Sequence, residues 1–326
     1  MKYTDIDLNG KTVLITGGAG FVGSNLAMHI QQHYPRCEVV VFDAFVLGHF
    51  KNLLGFTGRC IAGDIASAAD LRCLRDYHFD YVFHQAAISD TTVQDQARVV
   101  KVNTNAFQSI LDLAVEQRAG VVYASSAATY GNSAAPNRVG QGEVPENIYG
   151  FSKLMMDHLA HRYARSHDLP IVGLRYFNAY GPRESYKGRT ASMILQLAKK
   201  LLGGEQPRLF KYGEQRRDFV HIEDIVQANL KALSPRRSGV YNVGTGQART
   251  FNDLYDILQH AVQRFVEVEF IDNPWAFYQT HTEADIASTG AELGYSPRFS
   301  LEQGIPDYAP EILRIAGQDN LHEAAA

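Results

Sequence analysis

The sequence is poor in cysteine, in long apolar runs and in charge of one sign. Its three cysteines, Cys37, Cys60 and Cys73, form an odd set without C-x-x-C spacing. This pattern predicts neither a disulfide framework nor a zinc site. No run approaches the roughly 20 apolar residues of a membrane span, and the N-terminal MKYTDIDLNG has no apolar signal core. We therefore expect no metal, no membrane partner and a cytoplasmic location.

The charge and composition narrow the class of protein further. The formal net charge is -4, with both signs interspersed, which argues against a nucleic-acid partner. Single basic residues can still hold a small phosphate-bearing ligand. With 45% hydrophobic residues, the chain has enough apolar side chains for a large core and a smaller second lobe.

The order of short apolar runs predicts the fold class. KTVLIT, EVVVFD, DYVFH and GVVYAS are β-branched runs separated by helical lengths, which predicts an α/β protein with a Rossmann-type doubly wound parallel sheet. After about residue 178 the pattern is interrupted, and it resumes with RDFVHIEDIVQANLKAL and VYNVGTG. We predict two interleaved parts: a dinucleotide-binding domain, 1–177 plus about 214–247, and a smaller, discontinuous α+β substrate-binding lobe, about 178–213 plus 248–326.

A glycine-rich loop follows the first predicted strand. In ITGGAGFVGSN, Gly18, Gly20 and Gly23 have G-x-G-x-x-G spacing, with Gly17 before them. The first glycine permits a tight turn, the second lets the backbone approach a pyrophosphate, and the third lets a helix pack on the strand. The N-terminus of the next helix also favours an anion. The strand-loop-helix setting favours a dinucleotide site over a plain turn.

Asp43 ends the next predicted strand, about 20 residues after Gly23, where an acid usually binds a ribose hydroxyl. The alternative is a carboxylate that only caps a turn. Such an acid repels a 2′-phosphate and so favours NAD, but His49 and Lys51 lie a few residues on and leave NADP open. Asp64, after the third strand, is a predicted neighbour of the adenine.

A tyrosine, a lysine and a serine form the predicted catalytic group. Tyr149 and Lys153 in NIYGFSKLMMD lie at i and i+4, on one face of a predicted helix. A nearby ammonium can bring a phenol, whose pKa is ordinarily about 10, towards neutral pH. Ser126 ends the strand GVVYAS and is placed to bond the reacting oxygen, with Ser125 or Thr129 beside it. An exposed helix pair and a strand cap are the structural alternatives.

From TGGAGFVGSN through YGFSK to RYFNAYGPR, the chain resembles the extended short-chain dehydrogenase/reductase superfamily over nearly its whole length. More narrowly, ASSAATYG, RYFNAYGPRESYKGRTAS, LFKYGEQRRDFV, NVGTGQARTF and FYQTHTEADI are similar to the ADP-glycero-manno-heptose 6-epimerases within it. Sugar-nucleotide 4,6-dehydratases carry Thr-Asp-Glu where this chain has Ala127-Ala128-Thr129.

The resemblance implies an isomerase that inverts C-6″ of ADP-D-glycero-D-manno-heptose, for lipopolysaccharide inner-core precursors. It implies a homo-oligomer with tightly bound NADP, NAD being the alternative. Inversion through a ketone needs an acid/base on each face of the carbon, and the resemblance assigns these roles to Tyr149 and Lys187. Lys153 would lower the pKa of Tyr149. Other open functions are a UDP- or GDP-sugar epimerase or reductase and a non-catalytic dinucleotide-binding regulator.

Lys187 has a plainer alternative, because a lysine beside glycine in a loop is usually solvated. A lysine that acts as a base near neutral pH needs its pKa lowered by burial or by a neighbouring cation. Arg183 and Arg189 are the candidate cations in the same loop.

Further contacts follow from the resemblance, position by position. The implied cofactor contacts, besides the glycines, Asp43 and Asp64, are Phe21, Val22, Gln85, Ala86, Ala87, Ser89, Asn103, Lys153, Ala179 and Lys187. The implied substrate contacts are Asn178, Arg189, Gln196, Phe210, Lys211, Tyr212, Gly213, Arg217 and Tyr278. Arg217 also makes chemical sense, since a guanidinium binds diphosphate oxygens bidentately. Arg189 and Gln196 depart from the serine and histidine of enterobacterial members.

Overall fold

The computed structural model describes residues 1–273 and 279–323, and twelve strands lie in these ranges. The strands are β1 Thr12–Thr16, β2 Glu38–Asp43, β3 Arg59–Ala62, β4 Tyr81–His84, β5 Gly120–Ser126, β6 Ile171–Tyr176, β7 Asn178–Tyr180, β8 Arg208–Phe210, β9 Arg216–His221, β10 Gly239–Val243, β11 Ala248–Thr250 and β12 Glu269–Ile271.

The same residues contain ten α-helices, several of them extended by short 3₁₀ or π segments. The helices are α1 Phe21–His33, α2 Ala68–Leu71, α3 Gln96–Val99, α4 Ala106–Gln117, α5 Ile148–Ser166, α6 Met193–Leu202, α7 Ile222–Lys231, α8 Phe251–Val262, α9 Ala287–Leu293 and α10 Leu301–Glu323. None of the helices in the described part of the chain is long and apolar enough to cross a membrane.

Seven strands form a parallel sheet in the order β10-β6-β5-β4-β1-β2-β3. Apart from the added β10, this is the doubly wound dinucleotide-binding order. Its central strands are mostly apolar and buried because helices cover both faces: α1 and α7 pack on one side, and α4 and α5 on the other. The predicted fold class is confirmed. Because the strand order reverses between β1 and β4, the loops that follow these two strands separate and leave a crevice.

A second lobe packs over this crevice. Helices α6, α8 and α10 enclose an apolar core that includes Leu195, Leu254 and Ile305. A three-stranded sheet, β11-β9-β7, and a two-stranded sheet, β12-β8, complete the lobe.

Two segments contact the other of the two predicted domains. Strand β9, within the predicted 214–247 segment of the dinucleotide domain, pairs with β7 and β11. Conversely, Leu293 and Tyr295 pack into the core beside α1 and α7. The chain therefore crosses between the two cores more often than predicted, and the division into domains stays a prediction.

Candidate active site

A cavity of 1010 Å³ lies at the carboxyl ends of the main-sheet strands, beneath the second lobe. The loops that follow β1 to β6 line one side, and residues from β8, α6 and the segment before α6 line the other. In open α/β sheets this edge is where ligands bind. Its volume lies at the upper end of the range for ligand sites.

The glycine loop fits a dinucleotide because side chains are excluded from it. Gly17 has φ +69°, and a Cβ there would lie 2.6 Å from the backbone nitrogen of Ala86. A Cβ on Gly23 would lie 2.3 Å from the carbonyl oxygen of Gly17. Gly20 caps helix α1, whose first turn carries no acidic residue. The unsatisfied N–H groups at this helix start suit a pyrophosphate.

Asp43 caps the turn that follows β2 and also lines the cavity. Its buried carboxylate lines the cavity. It also accepts the N–H of Ala19 at 2.9 Å and that of Phe45 at 2.8 Å. Burial raises the pKa of Asp43, and these two N–H donors oppose the rise. Each carboxylate oxygen retains a second lone pair that can accept a ribose hydroxyl.

The segment after Asp43 touches the loop of Lys187. The rings of His49 and Tyr186 stack with centroids 4.1 Å apart and planes 7° apart. Lys51 Nζ lies 5.8 Å from the centre of the Tyr186 ring. The cofactor-side and substrate-side loops therefore meet at an aromatic contact that sequence reasoning missed, since it joins residues more than a hundred positions apart.

Tyr149, Lys153 and Ser126 converge on the cavity. Lys153 is 1% exposed, its Nζ donates to the carbonyl oxygen of Ala124 at 2.7 Å, and it lies 5.8 Å from the Tyr149 ring centre. Burial lowers the pKa of Lys153 to about 8, opposed by the charge of Asp157. Burial raises the pKa of Tyr149, and a hydrogen bond with the Ser126 side chain opposes the rise. Burial, and not the expected lowering by Lys153, therefore sets the direction of the Tyr149 pKa shift.

Lys187 also reaches the cavity, from a 3₁₀ segment over Ser185–Thr190. Its Nζ lies 5.1 Å from the centre of the Phe21 ring, so the amine faces the start of helix α1. Burial lowers the pKa of Lys187, and the charge of Glu184 opposes this. Its side chain is partly buried, whereas a fully solvated loop lysine would be exposed.

The two expected neighbouring cations are engaged elsewhere. Arg183 donates to the carbonyl oxygen of Asn52. Arg189 is largely exposed and pairs with Asp90 at 2.7 Å. Of the two causes that the sequence left open, burial is the one that lowers the pKa of Lys187, and neither candidate arginine contributes.

Most of the predicted site residues line this one cavity. The lining includes Gly17, Gly20, Phe21, Val22, Gly23, Asp43, Asp64, Gln85, Ala86, Ala87, Ser89, Ser126, Tyr149, Lys153, Asn178, Ala179, Lys187, Phe210 and Arg217. Six predicted residues do not line it: Asn103, Arg189, Gln196, Lys211, Tyr212 and Gly213. Tyr278 lies outside the described residues.

The residues outside the lining have other contacts. The buried Asn103 amide binds both the N–H and the carbonyl of Ile88 and the hydroxyl of Ser152, so it shapes the loop after β4. Gln196 donates to the carbonyl oxygens of Arg189 and Ala191, which holds the end of the Lys187 loop. These two side chains act on the site through the backbone of its loops.

Lys211, Tyr212 and Gly213 form a turn beside the lobe's two-stranded sheet, in which Lys211 and Tyr212 are exposed and Gly213 is buried. Lys211 pairs with Asp272 at 2.9 Å, and Tyr212 is 65% exposed. The turn follows Phe210, which does line the cavity. Of the predicted substrate contacts from Phe210 to Gly213, only Phe210 therefore lines the cavity.

Arg217 lies in the cavity wall with its guanidinium already oriented. It donates to the carbonyl oxygens of Arg216 at 2.8 Å and Gln279 at 2.6 Å. A guanidinium is the side-chain group that binds diphosphate oxygens bidentately. The backbone contacts fix the direction from which this charge can act.

A buried ion-pair network behind Lys153 was missed from the sequence. Arg175 donates to Asp157 at 2.8 Å and to Glu143 at 2.5 Å, and Tyr123 donates to Asp157 at 2.9 Å. Asp157 follows Lys153 by four residues on α5, so helical spacing gave a signal for this acid. Nothing in the local sequence indicated its partner on β6.

The fold and the cavity define a nicotinamide-dependent enzyme of the short-chain dehydrogenase/reductase type, because a tyrosine and a lysine of one helix face a glycine cradle. Comparison with known families extends this. Residues 13–244 match the NAD dependent epimerase/dehydratase family, and the chain belongs to that family.

Particular relatives narrow the similarity. The chain is 36% identical to the ADP-L-glycero-D-manno-heptose-6-epimerase of Alkalilimnicola ehrlichii, over 92% of this chain and 97% of the relative. The crystal structure of the Helicobacter pylori enzyme of the same name is 52% identical, with a TM-score of 0.91 and coverage of 96% and 99% of the two chains. The UDP-glucose 4-epimerase of Thermus thermophilus in complex with NAD is 27% identical, with a TM-score of 0.82 over 93% and 99%. The resemblance seen in the sequence is confirmed.

Proposed function

We propose that this protein is an ADP-glycero-manno-heptose 6-epimerase that inverts C-6″ of ADP-D-glycero-D-manno-heptose to the L-glycero form. The observation that carries the proposal is the presence of two proton-transfer groups, Tyr149 and Lys187, from different lobes in one cavity beside the glycine cradle. The names of the two relatives at 36% and 52% identity support the same substrate. An enzyme that only reduces a ketone needs one such group.

The protein's own residues divide the proton work between the two faces of the reacting carbon. On one side Tyr149 takes or gives the hydroxyl proton, and Ser126 bonds the same oxygen. From the other lobe, Lys187 gives or takes the proton of the same oxygen after the ketone has turned. Burial favours the neutral form of each group, since it raises the pKa of Tyr149 and lowers that of Lys187. The forward and reverse reactions use the same two residues, with the acid and base roles exchanged.

When bound, a nicotinamide would supply the redox chemistry, as acceptor and donor of the C-6″ hydride. Lys153 is placed to bind the nicotinamide ribose, since its buried Nζ lies between the Ala124 carbonyl and Tyr149. A cation beside the ring favours the phenolate of Tyr149. The start of α1, with Phe21 and Val22, holds the pyrophosphate.

The substrate lies on the second lobe in this proposal. Arg217 binds the diphosphate of the sugar nucleotide, and Phe210 and Asn178 flank it. The lining of this side is mixed rather than basic, which suits one diphosphate and a polar sugar. We further propose a cytoplasmic homo-oligomer that has no nucleic-acid or membrane partner, with the interleaved domain division given above.

The substrate is tested by direct competition between candidate sugars. We expect purified protein to convert ADP-D-glycero-D-manno-heptose to its 6″ epimer, followed by proton NMR of the H-6″ resonance, with no net change in the reduced dinucleotide. UDP-glucose and a GDP-mannose sample serve as matched controls and should remain unchanged. Turnover of a UDP-hexose without turnover of the heptose would remove the heptose assignment and leave the epimerase class.

For the cofactor we propose tightly bound NADP. Asp43 by itself favours NAD, but its carboxylate already accepts two backbone N–H groups, and the exposed Lys51 lies on the cofactor-side segment. Mass spectrometry of the copurified dinucleotide should therefore find NADP.

A variant sharpens the cofactor test. Lys51→Met should weaken NADP binding to the stripped protein about tenfold, the loss of one charge-assisted hydrogen bond of about 1.5 kcal/mol. NAD binding by the same variant should not change. Copurified NAD, or equal losses for both dinucleotides, would assign the site to NAD.

A further inference from the structure

Glu184 is a fully buried carboxylate that the reaction proposed above does not use. It is 0% exposed and lies three residues before Lys187. Its oxygens accept the Ser192 N–H at 2.7 Å, the Ser192 hydroxyl at 2.7 Å and the Gly181 N–H at 3.4 Å. Burying a carboxylate is costly unless it is hydrogen-bonded or balanced by a positive charge. This acid has both.

The contacts of Glu184 tie the Lys187 loop to helix α6. Ser192 is the N-cap residue of α6, and its hydroxyl also accepts the N–H of Leu195. The Glu184 carboxylate thus lies at a helix N-terminus, where a negative charge is favourable. Its own carbonyl oxygen accepts the Lys187 N–H at 3.0 Å. Both ends of the short 3₁₀ segment are therefore held against one helix.

The other charged groups around this loop have partners other than Lys187. From α10, Tyr308 and Glu311 face the loop: Glu184 adds to the rise in the Tyr308 pKa that burial causes, and Glu311 accepts the Arg183 N–H at 2.9 Å. Arg189 pairs with Asp90, which follows β4.

On the cofactor side, the basic side chains of His49 and Lys51 contact Tyr186. His49 stacks on the Tyr186 ring and Lys51 lies over it. The Lys187 amine itself faces the Phe21 ring of α1, which carries no charge. Glu184 is the acid whose charge raises the Lys187 pKa against burial.

We propose that Glu184 is a positioning residue for Lys187, fixing the lysine's loop on α6 and supplying the negative charge that balances its ammonium form in the cavity. A two-base epimerase needs Lys187 protonated in one direction and neutral in the other. Burial alone would favour only the neutral form, and the Glu184 charge restores access to the ammonium. The catalytic part of this role rests on the proposed function, in which Lys187 is an acid/base. The electrostatic coupling between Glu184 and Lys187 does not depend on that function.

The test is Glu184→Gln, which keeps the shape and one acceptor oxygen but removes the charge. We expect the limb of the pH–rate profile that belongs to Lys187 to move to lower pH by about one unit, the lower end of what a close opposite charge does. The limb that belongs to Tyr149 should stay in place. A purely structural role would lower the rate equally at every pH and shift neither limb, which would overturn the proposal.

Glu311→Gln is the matched control, because it neutralises a second carboxylate that binds the same loop but faces Arg183. It should leave both limbs where they are in the unmodified enzyme. A shift in Glu311→Gln as large as that in Glu184→Gln would mean that loop anchoring, and not the Glu184 charge, sets the ionisation.

A readout without substrate separates this inference from the proposed function. Reductive methylation with carbon-13 formaldehyde gives each lysine an NMR resonance, and the Lys187 signal is assigned by its absence in Lys187→Arg. Its titration midpoint should fall in Glu184→Gln, whichever sugar the enzyme uses. An unchanged midpoint overturns the coupling even if the heptose is epimerised.

If Glu184→Gln does not fold, the reverse measurement replaces it. Coupling between two groups is mutual, so Lys187→Met should raise the titration midpoint of Glu184, followed with carbon-13 glutamate. The same midpoint in both proteins would again contradict the proposal.

Discussion

Lys187→Ala and Tyr149→Phe should each lower the turnover number by at least about 100-fold while the dinucleotide stays bound. Losing a general acid or base typically costs a factor of about 10² to 10⁴. Neither change alters a glycine of the cradle or the backbone at the start of α1, so the bound dinucleotide should remain at its usual ratio to protein. Turnover is measured by NMR of the heptose epimers, and dinucleotide content by absorbance after denaturation.

Two variants outside the cavity control for the loss of a lysine and of a tyrosine hydroxyl. Lys11 pairs with Asp80 at 2.8 Å beside the start of β1, at the opposite end of the sheet. Tyr163, on the same helix as Tyr149, bonds Asp112 at 2.5 Å. Lys11→Ala and Tyr163→Phe should keep near-normal turnover. Near-normal turnover in Lys187→Ala as well would end the two-base mechanism and leave Tyr149 as the one acid/base.

The parts of the site that depend on neighbours in sequence could be predicted from the sequence. The glycine spacing, the strand before it and the helix after it are local features, so the cradle was readable directly. Tyr149 and Lys153 share a helix face through i, i+4 spacing alone. Asp43 was placed by its distance along the chain from Gly23. Each of these predictions needed only the period of a strand or helix.

The role of Lys187 could not be predicted from its neighbours in sequence. Its loop is short and carries no helical or strand period, so the residues alone left a solvated lysine as the simpler interpretation. The resemblance implied its role, and the structure places its partly buried side chain in the cavity wall. The sequence could not choose between burial and a neighbouring cation as the cause of its lowered pKa, because Arg183 and Arg189 are close in sequence but folding directs their guanidiniums to Asn52 and Asp90.

The supporting contacts could not be predicted because their partners are far apart in sequence. Asp157 meets Arg175 only when α5 packs on β6, and Asn103 meets Ile88 and Ser152 only when α5 packs beside the π segment over Val100–Asn105. A buried asparagine with all its donors and acceptors engaged reads in sequence like any polar residue. The predicted cofactor contact at Asn103 thus falls on a side chain that fixes the loop after β4.

Gly23→Ala should nearly abolish dinucleotide binding, although alanine is normally the better residue in a helix. An added Cβ would lie 2.3 Å from the carbonyl oxygen of Gly17 and 2.7 Å from the Cα of Gly18. Both are backbone atoms of the loop, so the start of α1 must move away from it. Loss of two charge-assisted hydrogen bonds to the pyrophosphate, about 1.5 kcal/mol each, weakens binding about 100-fold. Overpacking should also cost about 1–3 kcal/mol of unfolding free energy.

Gly317→Ala makes the same chemical change in α10, where no atom lies within 4 Å of the added Cβ. It should stabilise the protein by about 0.5–1 kcal/mol and leave binding unchanged, since alanine loses less backbone entropy than glycine in a helix. Fluorescence titration of the stripped proteins with NADP gives the affinities, and urea unfolding gives the stabilities. Wild-type affinity in Gly23→Ala would mean that the cradle can relax around a methyl group, and that the close approach of α1 to the loop after β1 is not what holds the dinucleotide.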